Sequence, residues 1–286
     1  MEPEDDPKQI IISKLKRFTN HDIIKLTPKG DSAIFAAFYL AKKFYLDKDM
    51  HMTRKVVLIP DQGGWLSYKD LPGNLGFSII EVKTRDGIID TDDLNKKIDI
   101  HNPACFIYTN PAGYFADQPA EEIHDICKKK CLTIMDCSGS VGTSMCNGDY
   151  ADMIVASFGR WKPINLKYGG FISIKNQDIY QKGSDVFQTI KFDEDYLPRL
   201  LEKIDQLPER YAFFEKHRRK ILNDLKEFKI IYPKKKGINV IVKFSSEPEK
   251  NLIIKYCKDN NYEYTICPRY IRINQNAVSI EVKRLE

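Results

Sequence analysis

Apolar and polar positions divide the chain into two stretches of different rhythm. Through residue 174, short apolar runs alternate with longer amphipathic segments. Residues 56–59, 78–82, 105–108, 132–135, 153–156 and 171–174 each read as a buried, β-branched strand. Helical spacing occupies residues 32–44, 90–98 and 119–131 between them. Strands of this kind alternating with helices predict a mainly parallel sheet covered on both faces, a three-layer α/β/α large domain. After residue 174 a long helical stretch runs over 193–228, broken at Pro198 and Pro208. Strand-like runs follow at 229–232, 238–244, 262–266, 270–273 and 278–282, with a helix at 247–258. This reads as a small α+β domain, and the boundary is placed near residue 175, giving domains 1–174 and 175–286. The first two dozen residues are expected to pack as a helix. In open α/β sheets a ligand lies beyond the carboxyl ends of the strands, so residues just after strands carry the most weight.

Composition narrows the class without naming a chemistry. The chain has 286 residues, 42% hydrophobic and 30% charged, which is ordinary for a globular protein. No apolar run is long enough to span a bilayer, and the acidic start lacks the apolar core of a secretory signal. Seven scattered cysteines form no disulfide framework, so a reducing, cytoplasmic setting is expected. Cys127 and Cys131 share a helix face, but zinc would need two further ligands at recognisable spacing. No metal site is expected. The net charge of +5 is mild, and no interleaved aromatic-basic stripe is present, so neither a nucleic acid nor a membrane is expected as partner.

Three segments carry candidate chemistry. In Pro28-Lys-Gly-Asp-Ser-Ala33 a glycine and small polar residues open a helix, whose first amides and macrodipole can hold an anion. Helix capping by Asp31 or Ser32 explains the same residues. Asp136 directly follows the strand at 132–135 and stands at the ligand end of the sheet. Ser157 ends the strand at 153–156, and Lys162 lies five residues beyond it. A lysine forms imines with aldehydes once its surroundings lower its pKa.

Together these segments resemble fold-type-I pyridoxal phosphate (PLP) enzymes, and within them the StrS/DegT-type aminotransferases. Gly30-Asp-Ser-Ala33 is similar to that family's helix start. Asp136-Cys-Ser-Gly-Ser-Val-Gly142 matches its aspartate segment in spacing. Gly148-Asp149, Ser157-Phe-Gly-Arg-Trp-Lys162 and Gly169-Gly170 match its lysine segment. The likeness spans residues 22–174 and fades beyond them. The resemblance implies the PLP-dependent transferase fold of the aspartate aminotransferase superfamily. It implies Lys162 as the Schiff-base lysine and general acid/base, and Asp136 as the partner of the pyridine nitrogen. Ser157, with the amides around Gly30, Asp31 and Ser32, would hold the phosphate. Trp65 falls where the family stacks a ring on the cofactor, and Asn110 where related enzymes meet the ring hydroxyl. Arg272 corresponds to an arginine that clamps a substrate carboxylate, a task suited to its planar fork. The implied partners are a small-molecule amino donor and acceptor and a second copy of the chain.

Two departures stand out. Gly139 replaces a polar residue of the family, and the chain is shorter than most members, mainly after residue 174. The implied activity is amino transfer. The alternatives are a PLP-dependent lyase or desulfurase-type elimination, and a non-catalytic scaffold of the same fold. Against a desulfurase, Trp161 precedes the lysine where that group has histidine.

Overall fold

The structure is a computed structural model that describes residues 6–286; residues 1–5, the acidic start of the chain, lie outside the described residues. Helix α1 (Pro7–Thr19) begins where the Asp6 carboxylate accepts from the Lys8 amide, and it stops at Asn20 in the left-handed conformation. Strand β1 (Ile23–Thr27) and helix α2 (Gly30–Phe44) follow, then β2 (Val56–Pro60), α3 (Ser67–Asn74) and β3 (Ser78–Val82). A two-residue ribbon, β4 (Thr84–Arg85) and β5 (Ile88–Ile89), leads to α4 (Thr91–His101), β6 (Cys105–Thr109), α5 (Ala120–Cys127) and β7 (Leu132–Asp136). Then come β8 (Met153–Ser157), β9 (Gly170–Ile174), α6 (Gln177–Gly183), α7 (Val186–Thr189) and α8 (Leu197–Asp205).

Seven strands form one sheet in the order β1-β9-β8-β7-β6-β2-β3. Only β9 runs against the others, pairing antiparallel with both β1 and β8. The expected mainly parallel, two-sided sheet is what the chain forms. Strand residues alternate between its faces. Phe106, Tyr108, Met135, Ile154 and Phe171 pack under α1, α4, α5 and α8. Val57, Ile107, Ile134, Val155 and Ile172 pack under α2, α3, α6 and α7. Strand β1 went unread in the sequence. It is five residues long, and its only partner lies far along the chain. The register aligns the strand ends that matter: Ser157 and Thr27 both pair with Gly170, and Thr109 pairs with Asp136.

The small body contains α9 (Leu207–Asp224), β10 (Val240–Lys243), α10 (Glu247–Asp259), β11 (Tyr264–Cys267) and β12 (Ala277–Ile280), with its sheet ordered β10-β12-β11. Two expectations need correction. Residues 270–273 form a turn rather than a strand, because Tyr270 gives its carbonyl to the Gly63 amide and so docks on the large body. Residues 229–232 make only an isolated bridge, Ile230 to Val242.

The boundary near residue 175 is also displaced. Helix α6 covers α2, and Leu197, Leu200 and Ile204 of α8 share a core with Ile11 and Leu15 of α1. The small body has its own core, built on Phe214, Ile221, Val240 and Val278. By packing, the large body extends through α8. Two fragments test this: residues 1–206 should melt cooperatively by circular dichroism. Residues 1–175, stripped of the apolar cover over α1 and α2, should aggregate or show no transition.

Candidate functional site

The carboxyl ends of β1, β7 and β8 meet at a cavity of about 110 Å³ lined by Lys29, Gly30, Asp31, Trp65, Asp136, Ser138, Ser157 and Lys162, with Tyr114 closing one side. One wall is the start of α2. No side chain caps it, and among the described residues the Asp31 amide has no acceptor. Its first residue must be glycine for steric reasons. A Cβ on Gly30 would lie 2.5 Å from the Cβ of Ser157. The helix dipole and its open amides therefore face Ser157 at very close range. The Asp31 carboxylate is turned aside, accepting from the Trp65 indole at 2.9 Å and the Ser67 hydroxyl at 2.7 Å.

Asp136 forms the opposite end. It is 4% exposed, and one oxygen accepts from the Tyr68 hydroxyl at 2.7 Å while the other accepts from the Ser138 amide at 2.9 Å. Burial first, and then the Asp136 charge, push the Tyr68 hydroxyl well above its ordinary pKa, so it serves as a donor. Ser138 in turn accepts the Ser157 amide at 2.9 Å, which ties the ends of β7 and β8 together.

Lys162 sits on the loop after β8 and is 8% exposed. Its ammonium donates to the Tyr114 hydroxyl and lies 4.9 Å from the centre of the Trp65 ring. Lys162 and Asp136 thus approach one small space from different strands. That is an amine able to bind an aldehyde, opposite an acceptor-only carboxylate, beside an anion-ready helix start.

Of the sequence candidates, Gly30, Asp31, Trp65, Asp136, Ser157 and Lys162 line this cavity, and three others do not. Ser32 stands one residue further into the helix, and its amide bonds to the Lys29 carbonyl. Asn110 is turned away: its amide donates to the Met145 carbonyl at 3.0 Å and its oxygen accepts from the Gln118 amide at 3.1 Å. Arg272 is corrected most firmly. It is 1% exposed; its Nε–Nη2 edge closes on Glu281 at 2.9 and 2.6 Å and its Nη1 donates to the Ile271 carbonyl at 2.6 Å, so the fork is spent inside the protein. Burial alone would raise the Glu281 carboxyl, but the Arg272 charge overrides it and holds the pKa at about 2.

Four residues of the site were missed. Lys29 and Ser138 were within reach, since each lies inside a motif already singled out. Tyr68 and Tyr114 carried no local signal, because only the fold brings them to Asp136 and Lys162. Tyr114 also accounts for the departure at Gly139: a Cβ there would come within 2.6 Å of the Tyr114 ring.

Comparison with known proteins agrees with the architecture. Residues 211–286 match the model of the MJ1341 family C-terminal domain. No curated protein sequence matches the chain. Among solved structures, Helicobacter pylori PseC, an aminotransferase involved in the biosynthesis of pseudoaminic acid, is 15% identical with a TM-score of 0.76, over 97% of this chain and 86% of its own. 3-Amino-5-hydroxybenzoic acid synthase is 10% identical with a TM-score of 0.75, over 98% and 87%. Cysteine desulfurase from Thermococcus onnurineus NA1 is 12% identical with a TM-score of 0.68, over 96% and 78%. At these identities the likeness is one of fold, and the fold is that of the fold-type-I PLP-dependent transferases.

The Arg272–Glu281 pair gives a test by pH. A carboxyl held at about 2 when folded, against about 4.5 unfolded, contributes stability that is complete above 4.5 and lost as pH falls toward 2. The contribution is on the order of 3 kcal/mol. Glu281→Gln should lower unfolding free energy at neutral pH by roughly 3–5 kcal/mol, because it strands a buried guanidinium. It should also flatten the acid limb of stability measured by urea titration between those pH values. An unchanged acid limb would show that the pair is not what holds this region.

Proposed function

We propose that the chain is a PLP-dependent aminotransferase that carries the cofactor on Lys162 and moves an amino group from an amino-acid donor to a small-molecule acceptor. The observation behind this reading is the convergence of Lys162, Asp136 and the open start of α2 on one cavity at the carboxyl end of the sheet. These residues fit the cofactor in kind. Lys162 offers an amine to its aldehyde, and Asp136 an acceptor to its ring N–H. Gly30, Asp31, Ser157 and Lys29 offer amides, a hydroxyl and a cation to its phosphate. Glycine at position 30 lets the start of α2 come directly against Ser157, which brings that hydroxyl beside the helix start.

When bound, PLP supplies an electron sink for the bonds at a substrate carbon. The chain's own groups supply the rest. Asp136, fixed by Tyr68 and Ser138, holds a proton on the ring nitrogen. The Lys162 amine removes and returns the substrate proton at its Nζ, and the Tyr114 hydroxyl keeps that amine directed into the cavity. Trp65, tied to Asp31, packs beside Lys162 and keeps water from it. The proposal includes a homodimer, as the family resemblance implies.

A desulfurase reading lacks a usable thiol. All seven cysteines are buried, and burial pushes the thiol of Cys267, in the small body, above its ordinary pKa.

Two measurements test the proposal. Protein incubated with PLP and reduced with borohydride should carry the adduct on Lys162 by peptide mass mapping; an adduct on another lysine would sink the assignment. Asp136→Ala should still take up PLP, yet amino-acid-driven bleaching of its visible band should slow by roughly 100-fold or more. Equal rates in both proteins would remove Asp136 from the ring nitrogen. If wild-type protein takes up PLP but no amino acid bleaches the band, the scaffold reading prevails.

A further inference from the structure

With Arg272 consumed by Glu281, a buried amine near Lys162 is still left without a carboxylate partner among the described residues. Lys283 follows β12 in a short 3-10 turn (Val282–Arg284) and is 5% exposed. Its Nζ lies 3.9 Å from the centre of the Tyr114 ring, the same ring whose hydroxyl accepts from Lys162. Among the described residues no carboxylate lies within ion-pair distance of it. The nearest acid in sequence, Glu281, is already taken: one oxygen accepts from Arg272 Nε, and the other from Arg272 Nη2 and Asn239.

The charges that face Lys283 are therefore mostly positive. Lys162 comes from the loop after β8 and Arg272 from the turn before β12, while Arg284 adjoins it in its own turn. Glu281 is the single acid among them, and Tyr114 presents only its ring face. A buried amine in such a place is costly to charge. Its burial pushes the amine well below the ordinary lysine pKa, and Lys162 and Arg272 add to that.

We propose that Lys283 is an anion-binding residue of this site, and that the group it takes is a carboxylate of the small-molecule substrate. An entering carboxylate is the partner that the buried amine lacks. It turns the surrounding positive field from a cost into an attraction and forms a charge-assisted hydrogen bond to Nζ. Binding then draws one proton from solvent onto the Lys283 amine, with no other bond made or broken. The sign follows from linkage. The amine has a lowered pKa when empty and a higher one when paired. Carboxylate affinity is therefore greatest at lower pH and falls by roughly tenfold per pH unit between the two values. The anion site stands on Lys283 itself; only the identification of its ligand as substrate rests on the aminotransferase reading.

The test uses the full chain, labelled with ¹³C at lysine Cε, and propionate as an unreactive probe, with propionamide as its neutral counterpart. Lys283 is assigned by the signal missing in Lys283→Gln. Propionate at neutral pH should move the Lys283 signal toward its ammonium position, and propionamide should not. Lys283→Gln should bind propionate at least roughly tenfold more weakly, while Lys283→Arg, charged at all these pH values, should bind it without the pH slope. A Lys283 signal unmoved by propionate, an equal response to propionamide, or undiminished affinity in Lys283→Gln overturns the inference. Either variant supplies the assignment, since Lys283→Arg lacks the same signal, and the propionate response is then read on the wild-type protein. Parallel borohydride mapping separates the two readings. A propionate response without a Lys162 adduct overturns the PLP proposal alone. An adduct without the response overturns the role of Lys283 alone.

Discussion

The Tyr114 carbonyl accepts hydrogen bonds from both the Ile238 and Asn239 amides, at 2.8 and 2.9 Å, so the loop that follows β6 is held by the small body. Next to it, a Cβ on Gly237 would lie 2.4 Å from the Phe115 backbone. The junction is thus closed without room for a side chain. Phe115 and Ala116 enter a core with Ile231, Ile241 and Ile273, which locks the two bodies at this loop. Fixing Tyr114 fixes the rest of the site. Its ring takes the space over Gly139, its hydroxyl sets Lys162, and its face receives Lys283 and Arg272. A residue of the large body thereby passes the position of the small body to the amine that would do the chemistry.

Buried charge is handled in two ways around that ring. Arg272 and Glu281 are paired in a bidentate geometry, with Asn239 satisfying a further lone pair, so the desolvation cost of both is offset locally. Lys162 and Lys283 have no such acid. Lys162 donates to a phenol, and Lys283 stands over an aromatic face. A buried amine without an acid is costly to charge unless an anionic ligand completes the set. The phosphate wall follows the same logic by other means, with backbone amides and a helix dipole in place of side-chain charge.

Much of the large body was legible in the chain. Six apolar runs alternating with amphipathic helices point to a two-sided, mainly parallel sheet, although the edge strand β3 is buried only at Val82. The strand-end rule then singled out Asp136, Ser157 and Lys162, since a residue's distance from the end of its own strand is a local quantity. Gly30 was legible for the same reason: a helix start is written in a few adjacent residues. The helical stretch that holds α9 and the runs that become β10, β11 and β12 could also be placed from periodicity.

Tertiary structure alone decided what lies between those strand ends. Strand β1 exists because β9 offers it an edge, and nothing within its five residues says so. Helices α6 and α8 belong to the large body because their apolar faces fit α2 and α1, which no reading of their own sequence could reveal. Arg272 looked available for a carboxylate until Glu281, nine residues on, was brought against it by the turn before β12. Asn110 likewise spends its side chain on the Gln118 amide of its own loop and the Met145 carbonyl of a distant one. Tyr114 and Lys283 entered the site only through the packing of one body on the other. Periodicity and strand ends are properties of a segment, so the sequence determined the sheet and its candidate lysine. Which polar groups are paired and which remain free is a property of non-local contact, so only the folded chain could decide it.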